Sequence, residues 1–273
     1  MSCLLSVASG CGSDKAREPG IEVAPQEIKR AAKATRETPG ARFTSRTVAT
    51  IARPEQEKLG GPVVSTSIDA FRYACAGTID SRRSTEIECR EIPRSRGTRY
   101  RIIEVADISY YGGPAARQRF QTRKWIKAPV LGGTRVSLVR SWATNPVALA
   151  RALAAAGPRR VGTETVYGVP ARHYAATVDR HEFAKLVRRR DPPRLGYDVI
   201  TGLHVEAWVD DRNVIRRTRE RMDVESFTDV AHTPPNKESY TQTSDLRFGP
   251  QPRIAVPPHE TERAAVARRK RGG

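Results

Sequence analysis

Residues 71–92 read FRYACAGTIDSRRSTEIECREI, in which apolar and polar side chains alternate on both sides of a basic turn. Alternation with a period of two is typical of antiparallel strands that bury one face. If Asp80 pairs with Ser84 across the turn, Cys75 lies directly opposite Cys89. The apolar pattern and the cysteine spacing therefore predict the same β-hairpin in the same register.

The opposed cysteines predict a disulfide bond between Cys75 and Cys89. Directly opposed residues lie about 4.5–5.5 Å apart at Cβ, which a disulfide spans after slight closing. Its loop of about 15 residues is worth around 3 kcal/mol on the chain-entropy model, and such a bond belongs outside the cytoplasm. Two free buried thiols are the alternative interpretation. No metal site is expected, because two cysteines without nearby histidines do not make a zinc site.

Strand-like segments continue on both sides of this hairpin, interrupted by helical patterns. Helices are predicted at Gln26–Arg36, from the capping residue Asn145 to Gly157, and from Asp179 to Arg190. Strands are predicted at Phe43–Ile51, Val63–Ile79, Ser84–Ile92, Tyr100–Tyr111, Lys124–Lys127, Val161–Tyr167, Ala171–Val178, Leu203–Val209, Val214–Val224, Lys237–Phe248 and Arg253–Val256. This order predicts an α+β fold, in which helices lie on one face of a mainly antiparallel sheet.

The N-terminal segment Ala8-Ser9-Gly10-Cys11 resembles the lipobox of bacterial lipoprotein signal peptides, in which the cysteine is acylated. We expect residues 1–10 to be a signal-peptide remnant with a misassigned start, because the basic segment is missing. Residues 11–25 are then a lipid-anchored flexible tether on the extracellular side of the cell membrane, with Cys11 carrying acyl chains such as palmitate. A chance cysteine in an ordinary flexible N-terminus is the alternative.

Composition and motifs exclude several function classes. The net charge of +18 suggests nucleic acid, but the basic residues are spread along the chain and aromatic residues make up only 6%. Attraction to an anionic lipid surface is favoured over nucleic acid. Nucleophile-elbow, Walker and dinucleotide-binding motifs are absent, and no cysteine pair follows the H-x-E triplet His204–Glu206. We therefore predict no catalytic residues, no enzyme activity and no cofactor.

The order of several short segments resembles the LolA-like envelope lipoproteins of actinobacteria, of the LppX–LprAFG type. The matching segments are Gly40–Thr44, Gly77–Asp80, Tyr110–Tyr111, Lys124–Lys127, Asn145–Pro146, Val161–Glu164, Gly168–Tyr174, Ala207–Asp210, Ser244–Gly249 and Val256–Pro258. Together they cover most of residues 26–262 in the order of the family.

This resemblance implies a curved antiparallel sheet, a half-barrel, with helices covering its concave face and an apolar cavity between the two. It implies a single LolA-like domain over residues 26–258, followed by a basic tail over residues 259–273. Candidate lipid-binding residues are Phe43, Ile102, Tyr174, Phe183, Leu186 and Trp208, with plain core as the alternative role.

The resemblance also implies a function, the binding or shuttling of a lipid or lipoglycan in the cell envelope. One departure concerns the strand Val214–Val224, where Arg216, Arg217, Arg219 and Arg221 leave neither face continuously apolar. The pocket is therefore expected to be small or suited to an anionic headgroup. The alternative function is a structural, sensor or protein-interaction module with an envelope protein as its partner.

Overall fold

The computed structural model describes residues 23–56, 63–82, 84–92, 99–105, 108–120, 125–129, 146–178, 198–226, 234–257 and 261–263. Over these residues the helices are α1 (Val23–Glu37), α2 (Gly113–Phe120) and α3 (Pro146–Ala155). The strands are β1 (Ala41–Gln56), β2 (Val63–Ile79), β3 (Thr85–Glu91), β4 (Tyr100–Val105), β5 (Ile108–Gly112), β6 (Trp125–Pro129), β7 (Arg159–Val166), β8 (Val169–Val178), β9 (Asp198–Val209), β10 (Ile215–Ser226), β11 (Asn236–Phe248) and β12 (Thr261–Arg263).

The strands of the described residues form one open, curved sheet in the order β12-β6-β5-β4-β3-β2-β1-β11-β10-β9-β8-β7. All neighbouring pairs are antiparallel except β12 and β6, which run parallel. The predicted α+β class, a half-barrel with helices over its concave face, is confirmed. The pairing of β1 with β11 brings the first and the eleventh strand of the chain together at the centre of the sheet.

The predicted hairpin forms in the predicted register. Cys75 lies opposite Cys89, with a Cα–Cα distance of 4.1 Å, and the two form a disulfide bond. The turn is held by Asp80, which is 1% exposed and whose carboxylate accepts the backbone N–H of Arg82 and of Ser84, both at 2.9 Å. Because these donors lie two and four residues ahead, one side chain closes the whole turn.

The β9–β10 turn uses the same device. Asp210 is also 1% exposed and accepts the backbone N–H of Arg212 at 3.0 Å and of Val214 at 2.7 Å. Its second oxygen accepts a bond from Nε of Arg216 at 2.7 Å. Asn213 adopts a left-handed backbone with φ of 59°, which asparagine tolerates well. An aspartate at the end of a strand therefore sets both hairpins.

Helices α1 and α3 pack against one face of the sheet and against each other. Small residues such as Ala31 and Ala152 are fully buried, and they let the two helices approach closely. The helices share one apolar core with sheet residues such as Phe43, Ile87 and Val205. We call this side the concave face. The opposite side, which carries Thr44, Ala76 and Glu88 among others, is called the open face.

Several predicted boundaries differ from the structure. Helix α1 begins at Val23, so the last three residues of the predicted tether 11–25 are helical. The segment Tyr100–Tyr111 forms two strands, β4 and β5, and not one. Strand β12 lies inside the predicted basic tail 259–273. The capping residue Asn145 and the predicted helix Asp179–Arg190 lie outside the described residues.

One further prediction was wrong, and one helix was missed. The segment Arg253–Val256 is not a strand; there Ile254 is buried and its N–H donates to the Asp80 carboxylate at 3.1 Å. The buried Ile254 side chain and the hydrogen bond to Asp80 stand here in place of the backbone hydrogen bonds of a strand. Helix α2 was not predicted, because its sequence Gly113–Phe120 lacks a helical apolar period.

Candidate functional site

The structure places three of the predicted lining residues on the concave face. Phe43 on β1, Ile102 on β4 and Tyr174 on β8 are at most 3% exposed and belong to the core shared with α1 and α3. Phe183 and Leu186 lie outside the described residues. The described part of the concave face is therefore closely packed around the predicted positions.

Trp208, by contrast, lies on the open face. It pairs with His173, while its neighbour Ala207 pairs with Tyr174 on the concave side. The indole stacks on the His173 ring at a centroid distance of 4.1 Å and packs with Val166 in a separate small cluster. The concave series on β9 is the alternate set Leu203, Val205, Ala207 and Val209, and this apolar alternation is the signal that would have placed Trp208 correctly.

Two rows of buried polar residues cross the centre of the concave face. They occupy the three adjacent strands β1, β11 and β10, and each is at most 5% exposed. Backbone pairing aligns the rows as Ser45–Ser244–Thr218 and Thr47–Gln242–Glu220. We call these six residues the polar rows. They interrupt the buried apolar series on the concave face of these strands, to which Phe43, Ala49 and Leu246 belong.

Part of the hydrogen-bonding capacity of the polar rows is satisfied internally. Gln242 Nε2 donates to Ser45 Oγ at 2.8 Å, and the hydroxyl of Ser244 lies 3.2 Å from that of Ser45. The hydroxyl of Thr47 and Oε2 of Glu220 have no hydrogen-bond partner among the described residues. A buried polar group without a partner costs about 1–3 kcal/mol, so such groups are uncommon in native proteins.

Glu220 is the acidic member of the polar rows. It lies between Val205 on β9 and Gln242 on β11 and is 5% exposed. Burial raises the pKa of Glu220 well above its ordinary value, because the carboxylate loses its hydration. The protonated form is therefore favoured, and it can donate one O–H bond as well as accept one. The polar rows thus offer a neutral hydrogen-bond donor on the concave face.

A second polar cluster ties α1 to the end of the sheet. Glu27 accepts hydrogen bonds from the Tyr174 hydroxyl and from Nη1 of Arg172, the latter at 2.9 Å. Arg172 also donates through Nη2 to the Asp210 carbonyl at 3.2 Å and to Asn213 Oδ1 at 3.0 Å. Burial and the bond to Glu27 raise the pKa of Tyr174 to about 12. This cluster closes one end of the concave face.

The open face near Trp208 carries a charged cluster. His173 lies between Glu164 and Glu206, at 3.0 Å from Nδ1 and 2.9 Å from Nε2 respectively. Glu206 also lies 3.4 Å from His204, so the H-x-E triplet forms part of this cluster. Among the described residues, no group of three or more His, Cys, Asp or Glu side chains could hold a metal ion.

No family model and no curated protein matches this sequence. Among solved structures, the chain is similar to Mycobacterium tuberculosis lipoprotein LppX, with 10% identity, a TM-score of 0.47, and coverage of 86% of this chain and 99% of that chain. It is similar to LprF from Mycobacterium bovis, with 12% identity, a TM-score of 0.42 and coverage of 87% and 98%. A LolA superfamily protein from Nitrosomonas europaea is 11% identical, with a TM-score of 0.34 and coverage of 84% and 94%.

LppX and LprF bear names of the LppX–LprAFG type that the sequence resembles. None of the described helices is both long enough and apolar enough to span a bilayer.

Proposed function

We propose that this chain is an extracytoplasmic lipoprotein that binds an acylated lipid between the concave face and its helices. The polar rows carry this proposal. A surface of apolar side chains suits acyl chains, whereas two buried atoms without a partner suit an ester, amide or hydroxyl of the same molecule. Glu220 and Thr47 are the groups we assign to that polar contact.

The chemistry of Glu220 narrows the class of ligand. A protonated carboxyl donates to a carbonyl oxygen but gives no charge attraction to a cation. Its burial disfavours a charged phosphate beside it, because that charge would also have to leave water. The proposed ligand is therefore held inside the domain by neutral acyl esters or amides, and a charged headgroup stays at the rim.

Anchoring through Cys11 is part of the same proposal. An acylated Cys11 would hold the domain at the outer side of the cell membrane, and one acyl chain alone anchors only marginally. The Cys75–Cys89 disulfide supports an oxidising compartment. Partition of the native protein into a detergent phase, and loss of this partition in Cys11→Ser, tests the anchor separately from the interior site.

Mass spectrometry of an organic extract tests the interior site. The protein lacking residues 1–11 is secreted from a related host, purified and extracted beside an unrelated secreted protein. We expect an acylated lipid at near-stoichiometric amount from this protein alone. The double variant Thr47→Val, Glu220→Leu should retain less lipid, whereas Val161→Thr on the exposed part of β7 should retain the full amount.

One observation favours a second function, that of a protein-interaction module. Phe43, Ile102 and Tyr174 are as buried as ordinary core, and the Tyr174 hydroxyl already bonds to Glu27. An empty extract from both the soluble and the anchored forms would overturn the lipid site. A stable protein partner in a pull-down from the envelope fraction would then support the module.

A further inference from the structure

Six exposed residues on the open face of β1, β2 and the end of β3 form a mixed cationic and apolar surface. We call Arg46, Arg72, Arg90, Val48, Ile68 and Ile92 the arginine–aliphatic patch. The aliphatic members Val48, Ile68 and Ile92 are 46%, 70% and 42% exposed. They are half of the six large apolar side chains that are exposed among the described residues. Single exposed aliphatic residues are ordinary, but three on one face of adjacent strands indicate a contact surface.

Strand pairing interleaves the cations with the aliphatic side chains. Arg46 and Arg90 flank Ala74 on the two neighbouring strands. In the next row of this face, Val48 pairs with Arg72, and the Ile92 N–H donates to the Arg72 carbonyl at 2.7 Å. Neighbouring strands lie about 4.8 Å apart, so each arginine is within side-chain reach of an exposed aliphatic residue.

The three arginines of the patch have no ion-pair partner among the described residues. Acidic residues nearby on the open face are already paired: Glu88 with Arg99 at 3.4 Å, and Asp245 with Arg217 at 2.5 Å. Glu86 is likewise paired with Arg101. The positive charge of the patch is therefore available to an external anion.

A groove of about 920 Å³ lies beside the patch on the open face. Ala74 and Ala76 form part of its lining, and Arg46 and Arg90 belong to it as well. Small side chains between two arginines leave room for an anionic group to approach both guanidinium groups. The groove has room for a lipid headgroup, and the patch beside it exposes aliphatic side chains.

We infer that the arginine–aliphatic patch docks this protein onto an anionic lipid bilayer. The arginines contact lipid phosphates, and the three aliphatic side chains enter the interfacial region of the bilayer. Aliphatic side chains argue against nucleic acid as the ligand, since single-stranded bases stack on aromatic residues and duplex phosphates are bound by polar ones. Docking by this face points the helices on the concave face away from the bilayer.

This inference goes beyond the proposed function and does not depend on it. The interior site concerns one bound lipid molecule on the concave face, whereas the patch contacts the surface of an intact bilayer on the opposite side of the sheet. Extraction of a bound lipid measures the first, and association with vesicles measures the second, so each can fail without the other.

Vesicle co-sedimentation tests the patch. The full chain with Cys11→Ser, which cannot be acylated at that residue, is mixed at about 0.1 M salt with phosphatidylcholine vesicles or with vesicles containing phosphatidylglycerol. We expect binding only to the anionic vesicles. The triple variant R46Q/R72Q/R90Q should bind about 100-fold more weakly, because each basic residue near an anionic surface contributes about fivefold.

A matched variant separates the patch from the net charge. Lys29, Arg30 and Lys33 are exposed on α1, on the other side of the sheet, and K29Q/R30Q/K33Q removes the same charge. We expect this variant to lose less than about fivefold. An equal loss of vesicle binding in the two triple variants would indicate unspecific attraction by the net charge. It would overturn docking through the patch. Absence of vesicle binding by the parent chain, with or without binding to an oligonucleotide, would also overturn it.

A second pair of variants tests the aliphatic contact. V48T/I68T keeps β-branched residues in the strands but removes three apolar carbons, one from Val48 and two from Ile68. Each buried carbon is worth about fourfold, so binding should weaken by about 60-fold. Val161→Thr removes a comparable exposed side chain on β7, 52% exposed, and should leave binding unchanged. If V48T/I68T binds as the parent does, the aliphatic side chains do not enter the bilayer and the inference is overturned.

Discussion

The substitution Glu220→Gln should change the pH dependence of stability in a defined direction. Glu220 is 5% exposed, has no ion-pair or hydrogen-bond partner among the described residues, and its pKa is raised by burial alone. In the unfolded chain this carboxyl ionises near its ordinary pKa of about 4.3. Between that value and the raised pKa, the folded state holds one more proton than the unfolded state.

The size of the effect follows from this proton. With one extra proton on the folded state, the free energy of unfolding falls by about 1.4 kcal/mol for each pH unit across the window. The contribution of the protonated carboxyl is fully present below the unfolded pKa and is lost as the pH rises through the folded pKa. Glutamine has nearly the same shape and does not ionise, so this loss is absent in the variant.

Urea unfolding followed by circular dichroism at pH 4, 5, 6 and 7 measures the difference. Near pH 4 the two proteins should agree within about 1 kcal/mol. The variant should then become progressively more stable than the parent as the pH rises. Thr218→Val lies on the same strand and in the same polar rows, carries no ionisable group, and should differ from the parent by a constant amount. A constant difference for Glu220→Gln as well would refute a buried neutral carboxyl.

Three further predictions concern the sheet. Reduction of the disulfide should lower the free energy of unfolding by around 3 kcal/mol, measured by urea unfolding with and without a thiol reductant; an unchanged midpoint would show that the bond adds nothing. Asp210→Ala removes an ion pair and two turn hydrogen bonds, and should lower the free energy of unfolding by about 2–4 kcal/mol. Asp211 is exposed, so Asp211→Ala should lower it by under about 0.5 kcal/mol. Gly77→Ala would place a Cβ 2.2 Å from the Glu86 carbonyl oxygen and 2.8 Å from the Phe43 ring, so we expect the free energy of unfolding to fall by more than about 3 kcal/mol. Gly162 has open space around it, so Gly162→Ala is the control. Equal melting temperatures of the two variants would contradict the clash.

Local patterns in the sequence predicted most of the strands. The segment Phe71–Ile92 has a largely alternating pattern around a short turn. The pairing of Cys75 with Cys89 therefore followed from neighbouring residues alone. The β9–β10 hairpin was predicted as the two strands Leu203–Val209 and Val214–Val224, which a short polar segment separates. The α+β class followed from the order of these elements.

The face of the sheet was predicted wrongly at Trp208, a large aromatic residue that interrupts a series of smaller apolar residues. Trp208 has the greatest apolar surface on β9, yet the alternate residues Leu203, Val205 and Ala207 face the helices. Trp208 is instead buried on the open face by His173 and by its small cluster. The size of one side chain was a poorer guide to its face than the period of its neighbours.

The sequence by itself determined the β2–β3 hairpin, its register and the cysteine pair, because these depend on residues that are close along the chain. The polar rows were decided only by the tertiary structure. Ser45 and Gln242, which share a hydrogen bond, lie 197 residues apart, and they meet because β11 pairs with β1 at the centre of the sheet. In the sequence, Glu220 is one more charged residue on an arginine-rich strand, and nothing near it along the chain indicates that it is buried. Its burial and its raised pKa exist only in the folded domain, where β9 and β11 flank it, since desolvation is a property of the whole fold.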